Sequence, residues 1–335
     1  MAGHQQTKSG LGWNRRQVLK WGLVAGVGAV GTATGWQTWQ RSHPQSKIQV
    51  PPLPAGATLG GNNPLTVLRD FDYGTVKQVD GRTVREFRVE AHSSPIQLNS
   101  TTSFITWNLN GRVPGPTLRA TQGDRVRVIF YNRAGHAHSL HFHGTHTADM
   151  DGIRPIRNDS VTIYEFDAEP FGVHLYHCHV SPITRHIMKG LHGLFIVDPP
   201  QPRPAADEMV LVMAGYDVDD NQKNEFYAFN GIPHYYMKHP IPIQQDQLIR
   251  LYLLNMIEFD AAVTFHIHAN MFQVYRTGRT LSPSEETDVI TLGTAERHIL
   301  EFSYHYPGKY MFHPHQDGIA EAGCMGWFDV KPKNI

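Results

Sequence analysis

Four times in this chain two histidines flank a single residue: His141-Phe142-His143, His177-Cys178-His179, His266-Ile267-His268 and His313-Pro314-His315. On an extended strand residues i and i+2 face the same side, roughly 6–7 Å apart along the backbone. The pairs therefore call for strands at four places, each with two imidazoles on one face. They also sit in a repeating frame. An Asn-Gly turn signal (Asn110-Gly111, Asn230-Gly231) precedes a strand-like stretch (Arg125–Tyr131, Leu248–Leu254). An asparagine follows (Asn132, Asn255), then a His-x-His pair, and a second pair stands near the end of each half. Self-similarity at a spacing of roughly 130 residues predicts a duplicated domain.

The rest of the body reads as short strands separated by Gly, Pro and Asn, with no long amphipathic pattern. That makes the fold class all-β, built from two β-sandwiches. Both strand-like stretches alternate apolar and polar residues, which predicts half-buried strands. The first domain is placed at 65–200 and the second at 205–335, joined through Asp198-Pro199-Pro200 and Pro204. A chain of 335 residues can build both cores without disulfide staples. Its two cysteines, Cys178 and Cys324, exclude a disulfide-rich scaffold. Thirty Lys plus Arg balance thirty Asp plus Glu, which argues against a general nucleic-acid binder.

The N-terminus reads as an address. Asn14-Arg15-Arg16-Gln17-Val18-Leu19-Lys20 precedes an uncharged stretch from Trp21 to Gln40. Residues 1–40 therefore resemble a twin-arginine export signal, which predicts a periplasmic or extracellular protein. No clean small-x-small cleavage site is visible, so a retained membrane anchor stays open. Residues 41–64 carry Pro44, Pro51, Pro52, Pro54 and Pro64 and read as a linker.

Neutral imidazole suits Zn, Cu, Fe and Ni. Cys178 narrows the choice. Lying between His177 and His179, its thiol points to the opposite face of the strand and is offered to a second metal. His138, three residues before His141, and His186, eight after Cys178, complete a set. Two histidines, a cysteine and a weak axial partner make the blue-copper electron-transfer site. A zinc hydrolase would use three ligands and an open position, and would leave Cys178 without a task.

At these residues the chain resembles the multicopper oxidases, specifically the two-domain kind with the blue copper in the first domain. The matching motifs are His138-Ser139-Leu140-His141-Phe142-His143-Gly144, His177-Cys178-His179, His186-x4-Leu191, Phe265-His266-Ile267-His268 and His313-Pro314-His315. The likeness runs from about residue 70 to the end. It implies two cupredoxin-like Greek-key sandwiches, four coppers per subunit, and reduction of O2 to water with electrons from a small-molecule or metal-ion donor. By family role, His138, Cys178 and His186 would hold the type 1 copper, with Leu191 in the axial position where many relatives have Met. Met188 is the weaker axial choice. His141 and His266 would hold the type 2 copper. His143, His177, His179, His268, His313 and His315 would hold the type 3 pair. Because the first domain has half of these ligands, the resemblance also implies a homotrimer with clusters at subunit interfaces.

The second domain has lost its own type 1 site. Pro314 stands where Cys178 stands, Val263 replaces the equivalent of His138, Ile319 falls at the position of His186, and Cys324 falls at the axial place. Cys324 then reads as a buried structural thiol. Asp151, in Asp149-Met150-Asp151-Gly152, matches an acidic position beside the cluster and is assigned a proton-relay role, with Asp317 and Glu321 as weaker candidates. The nearest rival is a copper nitrite reductase, which has an acid where this chain has His141 and lacks a histidine at the place of His179. Phenols, bilirubin-like pigments and the ions Cu(I), Fe(II) and Mn(II) are all donors for relatives. Laccase-like oxidation of phenols is the working expectation.

Overall fold

The computed structural model describes residues 61–144 and 146–333. The export-type segment, and all of the Pro-rich stretch before Gly61, lie outside the described residues. No helix among the described residues is long and apolar enough to cross a membrane.

Two sandwiches account for the body. In the first, one sheet runs in the order Phe71–Asp72, Thr117–Thr121, His192–Asp198, Gly172–His177, His141–Phe142. Its opposite sheet runs Thr75–Val79, Arg82–Gln97, Arg125–Asn132, Ser160–Asp167, with Ser103–Leu109 paired to the long strand Arg82–Gln97. Phe87, Phe130, Phe142, Phe166 and Phe195 fill the space between. In the second, Phe226–Phe229, Asp207–Tyr216, Ile249–Asn255, Arg297–Phe302, Phe272–Arg276 and Glu285–Thr287 form one layer. Ile241–Gln244, Gly326–Lys331, Gly308–His313, Val263–Ile267 and Val289–Leu292 form the other, over a core of Phe229, Phe265, Phe272, Phe312 and Phe328. Each sandwich mixes parallel with antiparallel pairs: Arg82–Gln97 lies parallel to Arg125–Asn132, as Asp207–Tyr216 does to Ile249–Asn255. This is the all-β, cupredoxin-like architecture expected from the resemblance.

The duplication extends to single hydrogen bonds. Asn110 and Gly111 have φ of 55° and 77°, and Asn230 and Gly231 have 52° and 91°. Two successive positive φ angles are what a tight hairpin turn requires, and Asn-Gly tolerates them. Asn110 Oδ1 accepts the Glu90 N–H at 2.7 Å, while Asn230 Oδ1 accepts the Val212 N–H at 2.9 Å. Asn132 and Asn255 are both fully buried and tie the ends of their strands to the loops beyond.

Two expectations are corrected. The stretch read as half-buried from Leu248 is the strand Ile249–Asn255, and it is buried along its whole length. Leu251 and Leu253 face the second core. Tyr252 and Leu254 face the other way, into an apolar cluster with Leu175, Leu194 and Ile196 of the first domain. A sheet packed on both faces loses the alternation that a one-faced sheet would keep. The start of the first domain also differs. The helix Pro64–Arg69 begins inside the expected linker, capped by Asn63 and with Pro at its first turn. Its Leu68 lies in the second core, and Arg69 makes two hydrogen bonds to Asp207, at 2.9 and 2.8 Å. Between the sandwiches Arg119 bridges Asp198 and Glu208, and Arg250 bridges Glu208 and Glu301. These buried charges meet in pairs, as burial requires.

Candidate metal centres

The strand Gly172–His177 ends on the first histidine of the second pair. Beyond its end Cys178 turns into the first core, while His177 and His179 stay on the outer side with rings 5.9 Å apart. His186 comes from the helix Ile183–Met188. His138 is fixed by two backbone hydrogen bonds with Ile156, at 3.1 and 2.9 Å. The three side chains converge: His138 Nδ1 lies 3.1 Å from His186 Nδ1, and Cys178 Sγ lies 3.1 Å from His186 Nδ1 and 3.7 Å from His138 Nδ1. All three are buried, and His138 Nε2 has no hydrogen-bond partner. Burial, with the neighbouring imidazoles, holds His138 at about 3, and burial holds His186 at about 4, so both stay neutral with a lone pair to give. Burial pushes the Cys178 thiol up. Two lone pairs and a thiol facing one another in a dry site fit a soft cation that would hold the sulfur as thiolate.

The fourth side of this centre is apolar. Leu191 is fully buried in the core that contains Cys178; its N–H donates to His186 O at 3.2 Å, and its carbonyl accepts from Cys178 N at 3.0 Å. Met188 lies in a separate cluster with Phe104 and Tyr216. The matching place in the second domain is filled rather than open. Val263, Ile319 and Cys324 lie in its core, and Cys324 N–H donates to Ile319 O at 3.3 Å, as Leu191 does to His186. Burial drives the Cys324 thiol well up.

The eight pair histidines form two half-sets of matching design. In the first domain His143 Nε2 and His177 Nε2 face each other at 2.9 Å; in the second His268 Nε2 and His313 Nε2 do so at 3.0 Å. The rings of His141 and His179 are 5.1 Å apart, and those of His266 and His315 are 5.0 Å apart. The Nδ1 atoms are anchored by carbonyls: His177 on Cys178 O at 2.9 Å, His313 on Pro314 O at 2.7 Å, His141 on Asp151 O at 2.7 Å, His266 on Asp288 O at 2.8 Å. A ring that donates from Nδ1 leaves Nε2 bare, and backbone anchoring of this kind orients imidazoles toward metals. Burial and neighbouring rings hold His143 at about 3 and His177 at about 4, and they lower His268. Among the described residues, no convergent group of ligands combines histidines of the two domains.

Acids attend both half-sets. Asp151 Oδ1 lies 3.1 Å from His141 Nδ1 and 3.5 Å from His146 Nε2. Asp288 Oδ2 lies 3.7 Å from His266 Nδ1. His146 and Asp288 escaped the sequence reading. His146 belongs to no pair. Asp288 gains its place only from the pairing of Val289 with His266 across two strands. Asp317 and Glu321 are exposed on the helix Asp317–Glu321, and neither forms an ion pair or hydrogen bond with a pair histidine among the described residues.

Two sandwiches of this topology, one carrying a buried His2Cys set and each carrying a histidine half-set, define a cupredoxin-like metalloprotein of the copper-binding type. Sequence profiles of multicopper oxidase domains match residues 90–202 and 203–334, and the chain belongs to the multicopper oxidase family. A solved structure described as a multicopper oxidase is 47% identical, covers 80% of this chain and 97% of its own, and superposes with a TM-score of 0.79. The copper-containing nitrite reductase of Neisseria gonorrhoeae is 23% identical over 269 residues, which is 73% of this chain and 68% of that protein. Copper resistance protein A of Escherichia coli is 31% identical over 138 residues, covering 36% of this chain and 22% of that protein.

Proposed function

We propose that this protein is a copper oxidase that accepts electrons singly at the His138, Cys178 and His186 site and uses them to reduce O2 to water at a cluster of the eight pair histidines. One observation carries the reading. Cys178 is bonded through the backbone to both His177 and His179, while its thiol faces one ligand set and their imidazoles face the other. The chain itself is thus a short covalent path between the two sets. Copper would supply the one-electron redox chemistry, four ions matching the four electrons that O2 needs. The burial of His138 and Cys178 keeps water from the first set. The carbonyls of Asp151, Cys178, Asp288 and Pro314 keep Nε2 of their histidines free for metal. Asp151 Oδ1, beside the half-set, would take protons from solvent water and deliver them toward the oxygen being reduced.

The separation of the half-sets within one chain supports assembly of each cluster from two copies, in a homotrimer. The Arg15-Arg16 segment supports export by the twin-arginine route to the periplasm or beyond. The nitrite reductase relatives give a second reading, reduction of nitrite to nitric oxide at a smaller copper site. The presence of His141 and His179, and the symmetry of the two half-sets, speak for the oxidase.

Copper stoichiometry, the visible spectrum and O2 uptake test this. About four coppers per chain, a blue band with a near-ultraviolet shoulder, and O2 consumption with a phenolic donor are the expected result. About two coppers, with nitrite turnover and no O2 uptake, would overturn it in favour of the second reading.

A further inference from the structure

Where the two sandwiches meet, a cavity of about 420 Å³ lies along the proline-rich connection. Small-molecule sites run from roughly 300 to 1,000 Å³, so there is room for one small ligand. Three arginines line it, each from a different part of the chain. Arg119 comes from the strand Thr117–Thr121, Arg250 from Ile249–Asn255, and Arg203 from the connection itself. Two carboxylates line it with them, Asp198 and Glu208. Prolines of the connection supply an apolar wall.

Both carboxylates are already taken. Arg119, 7% exposed, holds Asp198 at 2.7 and 2.9 Å and Glu208 at 2.6 and 3.1 Å. Arg250, 3% exposed, reaches Glu208 at 3.2 Å, and Glu208 also accepts the Tyr252 hydroxyl at 2.8 Å. Glu301 does not line the cavity, and its oxygens are taken by Arg250 Nε at 2.6 Å and the Tyr275 hydroxyl at 2.9 Å. Arg203 is the arginine left over. Its Nη2 donates to the Gly278 and Thr280 carbonyls at 2.9 and 2.7 Å, and its guanidinium carbon lies 4.9 Å from the Tyr275 ring centre. Among the described residues it forms no ion pair, and its Nε and Nη1 make no hydrogen bond. Burial, then the Arg250 charge, lowers its pKa, as befits a cation with no anion against it.

We propose that this cavity is a binding site for a small organic carboxylate, with its oxygens on Arg203 and its apolar body against the prolines. A guanidinium gives a carboxylate charge-assisted hydrogen bonds, stronger than those between neutral groups. Inorganic phosphate shares that recognition but leaves the proline wall uncovered. The site is separate from the metal centres, since none of their ligands lines it. A ligand held there touches the first sandwich, the connection and the second sandwich together. It therefore binds the native chain and not the unfolded one, and stabilises the joint by mass action.

The test titrates the full-length protein by calorimetry with benzoate, benzamide and inorganic phosphate at constant ionic strength, beside Arg203→Gln and Arg203→Lys. Metal-free protein is used so that copper cannot take the anion. Circular dichroism checks that each variant keeps the β-sandwich signal. The parent is expected to bind benzoate saturably, about one per chain, and to unfold at a higher temperature when benzoate is present. Benzamide has the same shape without the charge and should bind about tenfold more weakly. Arg203→Gln should weaken benzoate binding about tenfold, and Arg203→Lys should recover part of the loss. No saturable benzoate binding by the parent would overturn the proposal. Equal benzoate affinity in Arg203→Gln would put the anion elsewhere and overturn it too. Benzamide binding as tight as that of benzoate would remove charge from the recognition and overturn the carboxylate class. Phosphate binding tighter than that of benzoate would replace the organic ligand with an inorganic oxyanion. If Arg203→Gln fails to fold, Arg203→Lys and the benzamide comparison decide.

Discussion

His298 provides a stability switch that can be measured apart from any metal. It lies in the strand Arg297–Phe302 at 2% exposure, its Nδ1 accepting the Thr277 N–H at 3.2 Å. Nε2 therefore carries the proton, and it has no partner. A second proton would break the Thr277 bond and place a charge in a dry site. Burial, reinforced by Arg276, holds the pKa at about 4. In the unfolded chain the same group titrates near about 6.5. Between these values the unfolded state binds a proton that the native state refuses. His298 thus stabilises the fold fully above about pH 6.5, and that contribution is lost as the pH falls toward about 4. At about pH 5 the loss is about 2 kcal/mol. His298→Asn keeps an acceptor for Thr277 but cannot titrate. Urea unfolding of metal-free parent and variant at about pH 7.5 and about pH 5 measures the difference. The variant should be the less stable at the higher pH, because it leaves space unfilled. Its penalty should shrink by about 2 kcal/mol at the lower pH, the remaining histidines titrating alike in both proteins. An equal penalty at both pH values would refute the reasoning.

Three further outcomes are expected. Cys178→Ser removes the sulfur from the first centre and should abolish the blue band while circular dichroism stays that of a β-sandwich; a retained band would mean that the sulfur is elsewhere. Leu191→Met offers an axial thioether where an apolar side chain now lies, and should lower the potential of the blue copper in a redox titration. No change there would point away from position 191. Leu254→Ala truncates a fully buried side chain between the two sandwiches and should cost about 2–5 kcal/mol by calorimetry. A cost below about 1 kcal/mol would mean that the sandwiches do not depend on that contact.

What local pattern can report was legible in the sequence. Each His-x-His pair starts on a strand and its second histidine lies just past the strand's end, yet the two rings stay 4.9 to 5.9 Å apart; Cys178 faces away from its neighbours, and the Asn-Gly turns take the two positive φ angles that their residue types favour. Contacts between distant segments were less so. Nothing in Ile249–Asn255 announces that a second sheet covers Tyr252 and Leu254, and nothing in Pro64–Arg69 announces that Leu68 belongs to a core over a hundred residues away. Asp288 and His146 are ordinary residues in ordinary surroundings until the sheets bring them beside an imidazole.

The apolar cluster between the sandwiches has a consequence for assembly. Leu175, Leu194 and Ile196 against Tyr252 and Leu254 lock the two histidine half-sets of one chain at a fixed mutual angle. A rigid body with two unlike, complementary ends joins its copies head to tail, and such a chain of contacts either closes on itself or grows without limit. Which of these happens depends on the rotation from one copy to the next. In the proposed trimer that rotation would be set by side chains that never approach a metal. A volume change at Leu254 could then turn a closed ring into an open filament while every ligand stays in place.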